Sequence, residues 1–497
     1  MVDWNQKILA YALKNAIDYN GKANANTIVN SLFHEGLKKQ DLEKVLPLIR
    51  QIVGQVNAMT LEQQKKEFES LYTQVSERKI RVGLPELPNA KQGKVVTRFA
   101  PYPSGPLHIG NTRILVLNNE YAKMYKGKML FIIDDTIGSE EKQIVKEAYE
   151  LIPEGLKLMG VKYSRIFKKS SRLKIYYKYA EMLIKKGKAY VCECSIDELR
   201  KNRKEGRECS CRQYPPKEQM KRWKEMFKKS AKQGKYALRI KTNMQDPDPA
   251  FRDRVIFRIS TREHPLVGKK YKVWPMLEIS WAVDDHLLGI THVIRGKELM
   301  IETKMEKYIF GIFGWKEPEF IHTGLLGFEG IKLSKSKGQK EVREGRYAGW
   351  DDPRTWSIQS LIKRGIEPEA LKKFILSLGI RQTEITVPID ILYTENRKLL
   401  NQKAKPADFK PASDLPEVPE IEPKIPELKQ ATTPKQKTPQ KTKQISNAKV
   451  IMPDGSTING STSVQPKSKD IIYFRDFGYC KFDQKKQGKL VFYFAHK

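Results

Sequence analysis

Apolar residues in the first eighty positions recur at helical spacing. Ile8, Leu9, Ala12, Leu13 and Ala16 form one set, and Val45, Leu48, Ile49, Ile52, Val53 and Val56 form another. Asn20-Gly21 between them is a turn signal. The pattern predicts an appended helical domain over residues 1–85, whose role it does not state. The pattern changes over residues 85–94. Residues 94–100 (KVVTRFA) read as a strand, 101–110 as a loop rich in Pro and Gly, 111–125 as a helix and 128–133 (KMLFII) as a buried strand. Strand, loop, helix, strand is a βαβ unit, so the fold class is α/β with an open, Rossmann-like parallel sheet over 94–340. Helices follow at 140–159 and 171–187, and strands then a helix return over 236–300. Residues 341–401 read as a further helical domain. Residues 402–446, rich in Pro, Lys, Gln and Thr, read as a disordered linker. Short strand-like runs in 447–497 suggest a β piece that is small for an independent core. No internal repeat is visible.

Charge narrows the class of partner. Lys and Arg outnumber Asp and Glu by 92 to 58, a formal net charge of +34. Such an excess suits a polyanion, with nucleic acid first, although a Lys-rich composition that only solvates the surface gives the same count. No apolar run reaches the ~20 residues that cross a bilayer, so no membrane partner and a cytoplasmic location are expected. Of five cysteines, four crowd into one stretch as Cys192-Glu193-Cys194 and Cys209-Ser210-Cys211. In a cytosolic chain this argues for metal over disulfide, because four thiolates suit tetrahedral Zn²⁺. Four reduced thiols in a loop remain the alternative. Cys480 stands alone and reads as structural.

Two loops carry candidate chemistry. The first runs Pro101-Tyr102-Pro103-Ser104-Gly105-Pro106-Leu107-His108-Ile109-Gly110-Asn111, between a strand and a helix start. A helix N-terminus offers N–H donors and a positive dipole end to phosphate, glycines allow close approach, and His108 can donate to a phosphate oxygen. The second runs Gly330-Ile331-Lys332-Leu333-Ser334-Lys335-Ser336-Lys337-Gly338. Lysines on a mobile loop can stabilise a departing pyrophosphate. A solvated Lys-Ser loop is the plain alternative.

The string PSGPLHIGN resembles the HIGH motif of class I aminoacyl-tRNA synthetases, with Asn111 at the motif's last position. GIKLSKSKG resembles the KMSKS loop of the same class, with Leu333 in the methionine position. The segment Trp281 to Glu298 (WAVDDHLLGITHVIRGKE) is similar to the archaeal and eukaryotic type of glutamate enzyme within that class. The resemblance covers roughly residues 5–400.

It implies ATP-dependent activation of L-glutamate, with Mg²⁺, to glutamyl-adenylate, and transfer to the 3′ end of tRNA(Glu). Whether tRNA(Gln) is charged as well stays open. It implies catalytic roles for His108 and Lys335. ATP would be held by Pro103, Gly105, His108, Ile109, Gly110, Asn111, Lys332, Ser334, Lys335 and Ser336. Glutamate would be held by Arg98, Ser104, Asp134 and Arg295. Arg98 and Arg295 would face the side-chain carboxylate, since a guanidinium can bind a carboxylate through two N–H groups. Arg295 as a structural ion-pair partner is the alternative. Two positions depart from the family's pattern: Ile132 where an arginine is common, and Leu277 where a tyrosine is common, so the pocket is rebuilt there, with Trp281 as a candidate wall, or amino-acid binding is altered. The resemblance also implies an acceptor-end-binding insertion at about 190–275, sometimes with zinc. The basic run 217–235 reads equally as a contact to acceptor-stem phosphates or as a charged outer helix face. The chain end looks like the last strands of an eroded anticodon-binding β-barrel. A synthetase-like paralogue that binds tRNA without charging it is the rival reading. The N-terminal helices could dock a partner synthetase or an amidotransferase, or serve structure alone.

Overall fold

The computed structural model describes residues 4–76, 83–139, 143–333, 335–412 and 445–497, without the side chains of His34, Lys39, Lys335 and Ser336. It forms two units, Met1–Val82 and Gly83–Lys497. The first contains α1 (Trp4–Asp18), α2 (Ala25–His34), α3 (Leu42–Asn57) and α4 (Leu61–Leu71). Its core joins Ile8, Leu13 and Ala16 to Ile28, Leu32, Ile49, Val53 and Val56. The chain turns after α1 at Asn20 and Gly21, both at positive φ. Gln64 of α4 is fully buried and donates to the carbonyls of Val56 (2.8 Å) and Gly21 (3.0 Å), which ties that turn to the helices.

In the second unit β1 (Val96–Phe99), α5 (Ile109–Met124) and β2 (Lys128–Ile133) make a parallel βαβ unit with Val96 opposite Lys128. After α6 (Ala148–Leu158), β3 (Ile166–Lys168) extends the sheet beside β2. Residues 129–133 of β2 are all buried, as expected of a strand covered on both faces. After α7 (Leu173–Lys185) the chain leaves this layer. It builds an antiparallel sheet from β4 (Ala189–Cys192), β5 (Ala237–Ile240), β6 (Val255–Ile259) and β7 (Val273–Pro275), with α8 (Ile196–Glu205) and α9 (Pro216–Glu225) between β4 and β5. It returns through α10 (Leu277–Leu287) to β8 (His292–Gly296), α11 (Met300–Phe313) and β9 (Glu319–Thr323), with β8 and β9 parallel. Thr291 N–H donates to Val96 O at 2.9 Å, so β8 starts alongside β1. Arg98 and Arg295 thus stand near the carboxyl ends of neighbouring strands, where open parallel sheets bind ligands.

Next come β10 (Leu326–Phe328), α12 (Lys335–Arg343), α13 (Ile358–Arg364), α14 (Pro368–Leu378), β11 (Ile385–Val387) and α15 (Asp390–Leu400). The C-terminal sheet contains β12 (Lys405–Ala407), β13 (Phe409–Pro411), β14 (Ser446–Ile451), β15 (Thr457–Thr462), β16 (Ile471–Phe474), β17 (Gly478–Lys486) and β18 (Lys489–His496), in the order β12-β16-β17-β18-β14-β15-β13. Its first and last strands are consecutive in the chain, with Asp408 alone between them, so the sheet is a nearly closed barrel. Residues 405–411 therefore belong to the sheet and not to a linker. Their composition misled because Pro406 and Pro411 lie in three-residue strands at the two ends of the sheet order, where a missing N–H is tolerated, while Phe409 is buried in the barrel core with Phe474 and Phe492. The linker expectation for 413–444 lies outside the described residues. Cys480 is a fully buried member of that core. Among the described residues no helix is long and apolar enough to cross a membrane.

Candidate active site

The first loop is held at both ends. His108 caps α5: its Nδ1 accepts from Gly110 N–H at 3.1 Å, and Asn111 Oδ1 accepts from His108 N–H at 3.2 Å. With Nδ1 as acceptor, the neutral ring carries its proton on Nε2, the nitrogen able to donate. Ile109 N–H donates to Trp356 O (3.0 Å) and Ile358 N–H to Leu107 O (2.9 Å), so the strand-like segment before α13 clips the loop in place. Asn111 N–H donates to His108 O at 2.8 Å. The first three N–H groups of α5 thus have acceptors inside the protein, a correction to the expectation that this helix end offers unpaired donors. His108 supplies two of the three acceptors, its Nδ1 and its carbonyl, and Trp356 O supplies the third. Pro103 O accepts from Val145 N–H at 2.9 Å, and Ser104 N–H donates to Tyr102 O at 2.9 Å. Gly105 has φ +136°, and a Cβ there would lie 2.9 Å from the Trp350 ring. No other residue meets both demands.

The two loops touch. A Cβ on Gly110 would lie 3.1 Å from Leu333 Cδ1. Lys332 and Lys337 line a cavity of about 290 Å³ together with Tyr347, Arg354, Trp356 and Asp454. Lys335 and Ser336 start α12, but their side chains, like Ser334 as a whole, lie outside the described residues.

A second cavity, of about 140 Å³, is lined by residues that include Arg98, Asn111, Trp281, Arg295, Gly296 and Glu298. It brings together the two arginines, while Ser104 and Asp134 are not in its lining. Both guanidinium groups have internal partners. Arg98 Nε and Nη2 donate to the two Asp285 oxygens at 2.5 and 2.9 Å. Burial works against the Arg98 charge, yet Asp285 outweighs it and the pKa is raised. Arg295 Nη1 donates to Glu306 Oε1 (2.7 Å) and Nη2 to Thr303 Oγ1 (2.6 Å). Burial pushes the Glu306 carboxyl up to about 7 against the pull of Arg295. Asp134 is 1% exposed. Its Oδ2 accepts from Lys169 Nζ at 3.0 Å, and its Oδ1 lies 3.2 Å from Thr136 Oγ1. Lys169 also donates to Ser280 Oγ at 2.8 Å, and burial pulls its pKa down. Trp281 lies one turn beyond Leu277 on α10, and Ile132 is fully buried in β2.

In the inserted sheet the four Sγ atoms of Cys192, Cys194, Cys209 and Cys211 lie within 4.8 Å of one another. Cys192 and Cys209 are 3.9 Å apart. Tetrahedral zinc with Zn–S bonds of ~2.3 Å requires S–S distances of about 3.8 Å, so the donor set fits that ion. Arg239 Nη1 lies 3.6 and 3.9 Å from Cys192 and Cys209 Sγ, and Arg222 Nη2 lies 3.7 Å from Cys211 Sγ. The hydrogen bond from Cys192, aided by Tyr190 and Arg239, holds Cys209 down at about 5, while the same hydrogen bond and burial push Cys192 up and burial pushes Cys194 up.

The sequence model described as tRNA synthetases class I (E and Q), catalytic domain, matches residues 94–402. This chain belongs to that family. The glutamate–tRNA ligase of Pyrococcus furiosus is 44% identical to this synthetase over 431 residues, covering 84% of the chain and 75% of the relative. That of Methanothermobacter marburgensis is 40% identical, covering 80% of the chain and 72% of the relative. A solved glutamate tRNA ligase from Elizabethkingia meningosepticum aligns over 63% of the chain and 70% of its own, with a TM-score of 0.47 and 22% identity.

Sequence reasoning does not reach the three charged residues that pair with Arg98, Asp134 and Arg295 in this synthetase. Lys169 follows Lys168 in a Lys-rich chain, and nothing in the pattern sets it apart. Glu306 sits on α11 eleven residues from Arg295, a separation that signals no contact. Asp285 stands in Asp284-Asp285-His286, but nothing in that run pairs it with Arg98, 187 residues earlier.

Proposed function

We propose that this synthetase is a glutamate–tRNA ligase. It activates L-glutamate with ATP and Mg²⁺ to glutamyl-adenylate and passes the glutamyl group to the terminal ribose of tRNA(Glu). The observation that carries the reading is the joint presence of Arg98 and Arg295 in one cavity beside Asn111 of the first loop. In this reading the two arginines meet the side-chain carboxylate, while Asp134 and Ser104 serve the amino-acid end. His108, through Nε2–H, and Lys332 and Lys335 meet the ATP phosphates with Pro103, Gly105, Ile109, Gly110, Asn111, Ser334 and Ser336. The protein orients the reactants and stabilises charge as pyrophosphate leaves. Cys192, Cys194, Cys209 and Cys211 would hold a structural Zn²⁺, which fixes the insertion near the acceptor end of tRNA. The activity would be cytoplasmic.

One observation favours a second reading, a tRNA-binding paralogue with impaired charging: Asp285 and Glu306 already neutralise the two arginines. The deciding experiment is aminoacylation with radiolabelled glutamate and glutamine on separate tRNA(Glu) and tRNA(Gln) transcripts. Glutamate on tRNA(Glu) is the expected product, and the second transcript reports whether tRNA(Gln) is a substrate. Folded protein that binds tRNA and charges no transcript would replace the ligase reading with the second one.

A further inference from the structure

Three cations from three different parts of the second unit share one aromatic neighbour. The guanidinium carbons of Arg98 and Arg295 lie 4.9 Å from the Trp281 ring centre, and Lys169 Nζ lies 4.8 Å from it. The ring is 5% exposed. It lines the same cavity as the two arginines. Each cation also has its own carboxylate: Asp285 for Arg98, Glu306 for Arg295 and Asp134 for Lys169. These pairings balance the charge locally. They do not tie the three cations to a common geometry, because the carboxylates come from α10, α11 and the end of β2. The indole face does. Its Nε1 is buried and makes no hydrogen bond, so the ring is held by packing and by the cations against it. A face within 6 Å of a desolvated cation is attractive at every one of these contacts.

We infer that Trp281 is a positioning residue for recognition of the substrate side chain: it sets the distance and tilt between Arg98 and Arg295 at the cavity. The inference rests on the glutamate reading above. A carboxylate satisfied by N–H groups of two different guanidinium ions demands that their planes be fixed relative to each other. In Trp281 this chain has one rigid side chain that touches both.

The test measures binding of L-glutamate by calorimetry and pyrophosphate exchange with glutamate and with glutamine, in the full-length wild type and in Trp281→Phe and Trp281→Leu. Leucine keeps an apolar filler and loses the ring face; phenylalanine keeps the face and loses Nε1. Trp281→Leu should weaken glutamate binding and raise its KM by roughly tenfold or more. The KM for ATP should stay within about twofold, and the glutamate-over-glutamine ratio of kcat/KM should fall. Trp281→Phe should recover most of the loss. Unchanged glutamate affinity in Trp281→Leu overturns the inference and leaves the ligase reading intact. Equal losses in the two variants, or an equal rise in the KM for ATP, also overturn it. Wild-type protein that binds no glutamate overturns both.

Discussion

The ammonium of Lys169 sits 3.0 Å from Asp134 Oδ2 in an environment closed to water, with the side chains 0% and 2% exposed. Such a pair contributes little net stability over an apolar pair of the same shape, but its rupture leaves one buried charge without a partner. Lys169→Met should therefore cost about 3–5 kcal/mol in denaturant unfolding. A loss below about 1 kcal/mol would mean that water or a proton takes the place of the ammonium.

Arg295 and Glu306 allow fold and recognition to be separated. Arg295→Met alone strands Glu306 and should lower the melting temperature. Arg295→Met with Glu306→Met removes both charges and should return stability to within about 1–2 kcal/mol of wild type. If Arg295 reads the substrate carboxylate, the double variant still loses its preference for glutamate over glutamine. A double variant with wild-type glutamate kinetics would leave Arg295 a structural ion-pair partner.

Glu306 also predicts a pH dependence. Its carboxyl is raised from 4.5 to about 7 in the folded protein. Between those values the native state binds more protons than the unfolded chain, so stability from this group is present below about 4.5 and is lost as pH rises through about 7. The loss is of the order of 3 kcal/mol at most. Urea unfolding of wild type and Glu306→Gln across pH 5–8 isolates it: the difference between the two curves should change over that window, and parallel curves would rule the shift out.

The cysteine cluster makes a compositional prediction. Purified protein should carry about one zinc per chain, and Cys209→Ser should lose most of it and unfold at lower temperature. Cys480→Ser should leave the zinc content unchanged, because that thiol lies in the barrel core. Metal-free wild type with an unaltered melting temperature would make the four residues plain thiols.

The parallel sheet was legible because β1, the first loop, α5 and β2 follow one another without interruption, and each obeys a local rule of period or turn chemistry. The two arginines of the cavity were legible through motif likeness. Their partners were not, since Asp285, Glu306 and Lys169 acquire meaning only when strands adjacent in space bring distant segments together. The helix cap at His108 has no signature in the sequence, because His is an uncommon capping residue. Residues 405–411 read as linker because two prolines and two lysines outweigh one phenylalanine in composition, whereas in the fold the phenylalanine decides.

The barrel-like sheet takes β12 and β13 from before residues 413–444 and its other five strands from after them. The strands on either side interleave through β12–β16 and β13–β15 pairing, and Arg364 of α13 donates to the carbonyls of Phe494 and Ala495. A protease cut between the two halves would therefore yield fragments that stay together. Expressed as separate polypeptides, they should reassemble through those same strand pairings.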